Sequence, residues 1–288
     1  MKILEVKQVS YLYGEGTPFA QKALDNVSVG FEAGRITGLI GHTGSGKSTL
    51  IQHINGLLKP SEGQILINGI DITSKNVKMA DIRRMVGLVF QYPEYQLFEE
   101  TVQKDIAYGP TNMKLDAEEI EQRVTEAAYF CGISKDMFDK SPFDLSGGQK
   151  RRVAIAGVMA MKPQILILDE PAAGLDPVGR EEILGGIRGF QRKTGTTVII
   201  VSHSMEDMAV YCDELVVMNK SGVFMQGKTK DIFSEADKLI SVGLDVPQIT
   251  HLFKRLNEMG IELPENVFTV QDAQKAILSY YNERRGSK

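Results

Sequence analysis

The sequence contains only two cysteines and no long apolar run. Cys131 and Cys212 lie far apart and lack a CxxC or other metal-ligand spacing, which argues against a structural metal and for a reducing compartment. We expect Cys131 to pack as a small apolar residue. No apolar run approaches the roughly 18 residues that a membrane-spanning helix needs. Any membrane role is therefore expected to operate through another protein.

The chain also lacks an excess of positive charge, internal repeats and low-complexity segments. Its formal net charge is -4 and its pI is about 5.7, so no overall basic surface favours non-specific nucleic-acid binding, although this balance does not exclude it. With 288 residues, of which 42% are hydrophobic and 24% charged, the chain can bury one large α/β core and carry one or two appended subdomains.

Two different strand patterns occur along the chain. Residues 9–13, 27–31 and 64–67 have the alternating pattern of an antiparallel sheet, and the last run leads into the turn pair Asn68-Gly69. Nearly continuous apolar runs predict strands buried on both faces, within a parallel, helix-covered core, at 36–40, 165–168, 197–201 and 215–218.

Helical patterns split and extend this core. Residues 116–133 have apolar positions at helical spacing, with Asp116 and Glu119 placed like a capping box. They lie between the early and late core strands, which predicts a helical insertion. Amphipathic stretches at 248–259 and 270–281 predict a small helical extension at the end of the chain.

A phosphate-binding loop is predicted at residues 41–49, GHTGSGKST, between a buried strand and a helical pattern. Its glycines let successive N–H groups point at phosphate oxygens, and the following helix adds the positive end of its dipole. Lys47 is expected to bridge the β and γ phosphates of ATP, and Ser48 to offer its hydroxyl to Mg²⁺. The alternative is a glycine turn with an incidental lysine. The nucleotide-binding residues expected here are Gly41, His42, Thr43, Gly44, Ser45, Gly46, Lys47, Ser48 and Thr49.

Two carboxylates follow the buried run at 165–168, at the carboxyl edge where open α/β sheets bind ligands. Asp169 suits Mg²⁺ coordination, and Glu170 suits general-base activation of the attacking water. Without a P-loop in the same chain, a solvated acidic loop would be an equally good interpretation.

Three other side chains are expected to reach the nucleotide. His203 directly follows the run at 197–201 and can approach the γ-phosphate and the attacking water. Gln91 can bind Mg²⁺ or water through its amide oxygen, and Tyr13 can stack on adenine. Taken singly, a structural histidine is an equally good interpretation of His203, whereas Gln91 alone would be a surface residue and core packing is the commoner use of a strand aromatic such as Tyr13.

A second anion-binding helix end is predicted at residues 145–149, LSGGQ. Ser146 and Gln149 fit a capping box. The next three residues, KRR, place cations at the unfavourable end of the helix macrodipole unless an anion is nearby. Because this helix start is far from the P-loop in sequence, we expect a single ATP to contact both elements only in a head-to-tail dimer.

The LSGGQ stretch resembles the signature of ABC ATPases, and the other motifs of that family occur in order over about residues 1–230. Residues 41–49 and Asp169-Glu170 match Walker A and Walker B. Tyr13, Gln91, Gly174-Leu175-Asp176 and His203 match the A-loop, Q-loop, D-loop and switch histidine. Ala173 is a mild departure, because many members have serine there. No catalytic motif is degenerate, so ATP hydrolysis is expected.

The resemblance implies that ATP lies between Walker A of one subunit and the signature of its partner. The nucleotide site then also contains Tyr13, Gln91, Ser146, Gly147, Gly148, Gln149, Asp176 and His203. The implied catalytic residues are Glu170, His203, Gln91 and Lys47, and the implied Mg²⁺ ligands are Ser48, Gln91 and Asp169.

Three segments are similar to energy-coupling factor (ECF) transporter ATPases: 91–102, 148–154 and 172–177. The resemblance implies uptake of vitamins or transition-metal ions, together with a transmembrane coupling protein, a substrate-binding membrane protein and a second, paralogous ATPase that forms a heterodimer with this chain. The chain resembles the second of the two ATPases. It is expected at the cytoplasmic face of the cell membrane as a peripheral protein, contacting the membrane only through partners and binding no nucleic acid.

The expected fold class is α/β, a P-loop NTPase core of the ABC ATPase type with an N-terminal antiparallel β subdomain. The ABC ATPase domain is expected at 1–232, with a helical insertion subdomain at about 95–160, and a small C-terminal helical extension at 233–288. The alternatives are the ATPase of an ordinary ABC importer, a soluble ABC ATPase acting on nucleic acid or ribosomes, and a P-loop phosphotransferase. The last would leave the signature helix and His203 without a role.

The Q-loop region at 91–102 mixes aromatic and acidic side chains. We hypothesise that it forms a groove for a basic coupling helix of the membrane partner, in which case reversing the charge of Glu94 should weaken assembly. A solvated loop is the alternative.

Overall fold

The computed structural model describes residues 1–74 and 76–286. Its first sheet consists of β1 (Lys2–Tyr13), β2 (Gln21–Glu32), β4 (Glu62–Ile67) and β5 (Ile70–Asp71), in the order β2-β1-β4-β5 with antiparallel pairing. Asn68 and Gly69 join β4 to β5, and both have the positive φ angles that a tight hairpin turn needs. The predicted antiparallel sheet is confirmed.

The second sheet carries the predicted buried runs. It consists of β3 (Ile36–Gly41), β6 (Val86–Val89), β7 (Ile165–Asp169), β8 (Thr197–Val201), β9 (Glu214–Asn219) and β10 (Gly222–Lys228). The order is β10-β9-β3-β8-β7-β6, with β10 antiparallel at one edge and the other pairings parallel. All residues of β3 and β8 are buried, which explains their nearly continuous apolar sequences.

The two faces of this sheet are covered differently. Ile40 belongs to a core shared with the helices, whereas its neighbour Leu39 packs in a second core with β1, β2 and β4. Helices cover the first of these faces, as predicted. On the other face the antiparallel sheet, together with α1 (Lys47–Ile54), supplies the apolar cover.

The predicted helical insertion lies between β6 and β7. It contains α3 (Val102–Asn112), α4 (Ala117–Phe130) and α5 (Gly147–Ala160), and α2 (Met79–Met85) precedes it. The Asp116 carboxylate caps α4 by accepting a hydrogen bond from the Glu119 N–H at 2.8 Å. Cys131 is buried as predicted, and burial raises the pKa of its thiol to about 12.

The remaining helices follow β7 and complete the chain. They are α6 (Pro177–Thr194), α7 (Met205–Tyr211), α8 (Thr229–Ser234), α9 (Ala236–Ser241), α10 (Gln248–Glu258) and α11 (Val270–Gly286). Phe233 and Leu239, from α8 and α9, belong to the main core, whereas Phe253 and Ala273 belong to a small separate core. The described C-terminal region is thus helical, as predicted, and no helix within 1–74 and 76–286 is long and apolar enough to cross a membrane.

Candidate nucleotide site

The P-loop turns sharply from β3 into α1. Gly46, the N-cap of α1, has a φ of 103°, and a Cβ atom there would lie 2.5 Å from the carbonyl oxygen of Ala23. Only glycine fits this position. The ammonium of Lys47 donates to the carbonyl oxygens of Gly41 and His42, at 2.6 and 3.1 Å. Burial lowers the pKa of Lys47, while Glu170 and Asp169 act in the opposite direction.

The two carboxylates stand where β7 ends. Glu170 has a φ of 53°, and its N–H donates to the carbonyl oxygen of Val201 at 2.9 Å. A non-glycine residue in this conformation stores backbone strain of about 1–3 kcal/mol, which is typical of functional sites. Burial raises the pKa of Glu170, and the charge of Asp169 raises it further. Burial also raises the pKa of Asp169, which Lys47 opposes.

His203 stands beside Glu170 at the carboxyl edge of β8. Its Nε2 atom is 3.6 Å from Glu170 Oε1, and burial lowers the pKa of the imidazole, with Lys47 adding to the effect. Glu170 Oε1 is buried and accepts no hydrogen bond from the described part of the chain. A carboxylate with an unshared acceptor oxygen is suited to take a proton from water.

One cavity of about 380 Å³ brings most of the predicted residues together. Its lining includes Tyr13, Thr43, Gly44, Gly46, Lys47, Ser48, Thr49, Gln91, Asp169, Glu170 and His203. The Tyr13 hydroxyl lies 3.5 Å from the hydroxyl of Thr49, so the strand aromatic stands over the start of α1. Gly41, His42 and Ser45 belong to the P-loop without lining the cavity.

Sequence reasoning missed four residues of the lining: Gln21, Lys22, Ala23 and Val201. Gln21 pairs with Tyr13 across the β1–β2 hairpin, which brings the start of β2 to the cavity. Tyr13 alone did not reveal this neighbour, because the pairing depends on a strand register that is interrupted by irregularities.

The signature residues lie outside this cavity. Ser146 and Gln149 form the predicted capping box, with Gln149 Oε1 accepting from the Ser146 N–H at 3.0 Å and Ser146 Oγ accepting from the Gln149 N–H at 3.3 Å. Gly147 and Gly148 form the first turn of α5 with them. Asp176 is also outside the cavity, where it caps α6 through the N–H of Gly179 at 2.7 Å.

The cations after the signature have partners within the chain. Arg151 makes two hydrogen bonds to Glu94, and Arg152 Nη2 lies 2.6 Å from Glu182. Carboxylates therefore balance two of the three cations, so Arg151 and Arg152 do not by themselves indicate a bound phosphate. Glu94 is correspondingly engaged, with its side chain 17% exposed, and does not present a free charge at the surface.

Comparisons with known proteins identify the family. The ABC transporter family profile matches residues 24–173. The chain is 55% identical over 285 residues to the energy-coupling factor transporter ATP-binding protein EcfA2 of Caldanaerobacter subterraneus subsp. tengcongensis, covering 99% of each chain. It is 54% identical over 282 residues to EcfA2 of Clostridium tetani, covering 98% of each. The chain belongs to the ECF transporter ATP-binding proteins.

Solved structures confirm the fold of this ECF-family chain. CbiO1 from Clostridium perfringens, part of the ABC transporter complex cbiONQ, matches with a TM-score of 0.74 and 42% identity, covering 88% of this chain and 99% of that one. The cassette MJ0796, in a dimeric post-hydrolysis state bound to ADP and Pi, matches with a TM-score of 0.70 and 28% identity, covering 78% and 98%. The expected α/β ABC ATPase fold and the identification as an ATP-binding, ATP-hydrolysing ECF-type subunit are confirmed.

Proposed function

We propose that this ECF-family ATPase acts as one half of a head-to-tail dimer, in which each ATP is held by the P-loop of one subunit and the signature of the other. The observation that carries the proposal is the separation of the two elements. The P-loop, Asp169, Glu170 and His203 share one cavity, whereas the signature at 145–149 is outside it. Ser146 and Gln149 are exposed at the start of α5 and available to a second subunit.

Within the cavity, each side chain has a proposed task. Lys47 exchanges its two carbonyl acceptors for the β and γ phosphates. Glu170 accepts the proton of the attacking water, and His203 orients that water beside it. Gln91 positions the γ-phosphate, and Tyr13 stacks on adenine. On the partner's side, the N–H groups of Gly147, Gly148 and Gln149, with the Ser146 hydroxyl, bind the same γ-phosphate, and Asp176 borders the interface.

The donor set fits Mg²⁺. Ser48, Gln91 and Asp169 bring hydroxyl, amide and carboxylate oxygens to the same cavity, and oxygen ligands combined with substrate phosphates are what Mg²⁺ prefers. When bound, Mg²⁺ neutralises charge that develops on the phosphates. The remaining P-loop residues Gly41, His42, Thr43, Gly44, Ser45, Gly46 and Thr49 shape the phosphate cradle.

We further propose the partners that the family implies. These are a second, paralogous ATPase, a transmembrane coupling protein and a substrate-binding membrane protein, which together import vitamins or transition-metal ions. The chain then works at the cytoplasmic face of the cell membrane. The names of the EcfA2 relatives and the cbiONQ membership of CbiO1 support this assembly.

The surface for the membrane partner is proposed at the Q-loop region. Tyr92, Tyr95 and Phe98 are exposed there, and Glu100 is the exposed acidic residue. Glu94 forms a largely buried pair with Arg151, whereas the pair of Glu100 with Lys104 is exposed to solvent, so charge reversal at Glu100 is the cleaner test of docking. We also propose an ATPase domain at 1–232, with its insertion at about 95–160, and an extension at 233–288. The separate small core around Phe253 supports an extension, while Phe233 and Leu239 at its start pack in the main core.

The dimer is tested with a Glu170→Gln variant, in which ATP binding persists and hydrolysis is slow. The variant is mixed with ATP and the paralogous ATPase, and the mass of the product is measured by light scattering and native mass spectrometry. A dimer that holds nucleotide and requires both ATP and intact Ser146 is expected. A strictly monomeric product would overturn the proposal, and mass spectrometry of the complex from native membranes identifies the partners.

A further inference from the structure

A buried ion pair joins the Q-loop region to the signature helix. Arg151, in the second turn of α5, donates from Nε to Glu94 Oε2 at 3.2 Å and from Nη2 to Glu94 Oε1 at 3.1 Å. The side chains are 6% and 17% exposed. A bidentate guanidinium–carboxylate pair fixes orientation as well as distance, and salt screens a largely buried pair only weakly.

The pair connects elements that face different nucleotides in the proposed dimer. Glu94 lies in a short 3-10 helix (Pro93–Gln96), three residues after Gln91, which lines this chain's own cavity. Tyr92 between them has a φ of 61°, a strained conformation that surrounding contacts must maintain. Arg151 follows Ser146, the N-cap of α5, by five residues along a rigid helix.

We propose that Glu94 and Arg151 are positioning residues for ATP hydrolysis. They fix the position of the signature end of α5 relative to the segment that carries Gln91. The nucleotide in this chain's cavity thereby influences the position of the signature that contacts the second nucleotide of the dimer. Neither side chain lines the cavity, so they act through Gln91 and Ser146. The inference rests on the head-to-tail dimer proposed above.

Two more ion pairs extend the same connection. Arg152 binds Glu182 at 2.6 Å and joins α5 to α6, the helix that follows the D-loop. Arg180 Nε donates to Asp207 Oδ2 at 2.8 Å and joins α6 to α7, which begins two residues after His203. Successive pairs therefore link the helices that follow the signature, the D-loop and the switch histidine.

A competing role for Glu94 is direct docking of a basic segment from a membrane partner. Both carboxylate oxygens of Glu94 already accept hydrogen bonds from Arg151. A docking segment would have to reach a carboxylate that is only 17% exposed and already shared with Arg151, whereas the positioning role uses the pair as it stands. The two roles respond differently to exchanging the charges.

The test uses the complex purified with its partner subunits and measures ATPase rates over a range of ATP concentrations. Glu94→Gln and Arg151→Lys are each expected to lower kcat about tenfold or more, with KM for ATP within about twofold, because the P-loop still binds ATP while the closed geometry is lost. The double variant Glu94→Arg with Arg151→Glu is expected to recover much of kcat. A docking carboxylate would not be restored by placing arginine at position 94.

Glu119→Gln is the matched control, because it removes a short ion pair to Arg123 in α4, away from both motifs. It is expected to leave kcat unchanged.

The proposal is overturned if Glu94→Gln keeps kcat within about twofold of the wild type, or if a folded double variant remains as slow as the single variants. If the double variant does not fold, Arg151→Lys provides the test. Lysine keeps the positive charge but loses the guanidinium that makes two hydrogen bonds to Glu94. A normal kcat in this variant would contradict the inference. Failure of the dimer itself would instead appear with Glu94 and Arg151 unchanged, as a Glu170→Gln protein that stays monomeric with ATP and the paralogous ATPase.

Discussion

His203 Nε2 lies 3.6 Å from Glu170 Oε1, where the neighbouring strands β7 and β8 end. Burial moves the pKa values of these groups in opposite directions, raising that of Glu170 and lowering that of His203. Burial thus disfavours the charged form of both groups. We expect Glu170, as its carboxylate, to accept a proton from the attacking water while His203 orients that water.

Replacing Glu170 by glutamine should slow ATP turnover by about 10²- to 10⁴-fold, the contribution typical of a general base, while ATP binding is preserved. Steady-state phosphate release and equilibrium nucleotide binding measure the two effects. Glu181→Gln, at an exposed position on α6, is the control and should change neither ATP turnover nor ATP binding. A turnover near that of the wild type would remove Glu170 from this role.

The acidic limb of the pH–rate profile should reflect the raised pKa of Glu170. Burial and Asp169 raise this pKa above the usual glutamate value of 4.5, and a protonated carboxyl cannot accept a proton from water. We expect kcat to fall as the pH decreases through the raised pKa, at a higher pH than for an exposed glutamate. The Glu170→Gln variant should lack this limb, and an unchanged limb in that variant would assign it to another group.

The same pKa shift has a consequence for stability. Because the folded-state pKa of Glu170 lies above its unfolded value, stability is lost as the pH rises through the interval between the two values. Above that interval, Glu170→Gln should raise Tm, because the substitution removes a carboxylate whose charge is disfavoured by burial and by Asp169. Calorimetry at several pH values should show the gain shrinking toward acidic pH, and a gain independent of pH would contradict this explanation.

Replacing Lys47 by alanine should weaken ATP binding by about tenfold or more, because a charge-assisted contact to the phosphates is lost. Titration with a fluorescent ATP analogue measures the affinity. Lys7→Ala, on β1 and exposed, is the control for loss of one positive charge. Equal affinities in the two variants would show that Lys47 does not contact the nucleotide.

Replacing Gly46 by alanine should damage both folding and nucleotide binding. The added Cβ would lie 2.5 Å from the carbonyl oxygen of Ala23, in addition to the cost of a φ of 103°. Gly16→Ala measures the cost of the positive φ alone, because Gly16 also has a positive φ but no atom within 4 Å of the added Cβ. We expect a loss of about 1 kcal/mol in the control and a clearly larger loss at Gly46, measured by urea unfolding.

Much of the site could be predicted because local sequence determines it. The P-loop sequence at 41–49 and the capping box of Ser146 and Gln149 are short motifs whose geometry follows from neighbouring residues. The antiparallel and parallel sheets followed from two distinct apolar patterns. In each case the deciding contacts are close in sequence or repeat along one element.

What could not be predicted depends on contacts between distant segments. Arg151 and Glu94 are 57 residues apart, and their pairing depends on the left-handed turn at Tyr92 and the 3-10 helix after it. The Gln21 side of the cavity depends on strand register, which is interrupted by irregularities along β1 and β2. Neither feature leaves a periodic pattern in the sequence.

The carbonyl oxygens that hold Lys47 also bear on how the loop receives its substrate. The ammonium is already fixed between two oxygen atoms. We therefore expect arriving phosphates to replace one set of oxygen partners with another, at little further cost in side-chain freedom. We expect such a loop to select ligands by their negative charge. Di- and triphosphates then differ in affinity through the charge and length of their phosphate chains, whereas an uncharged nucleoside gains almost no affinity from the loop.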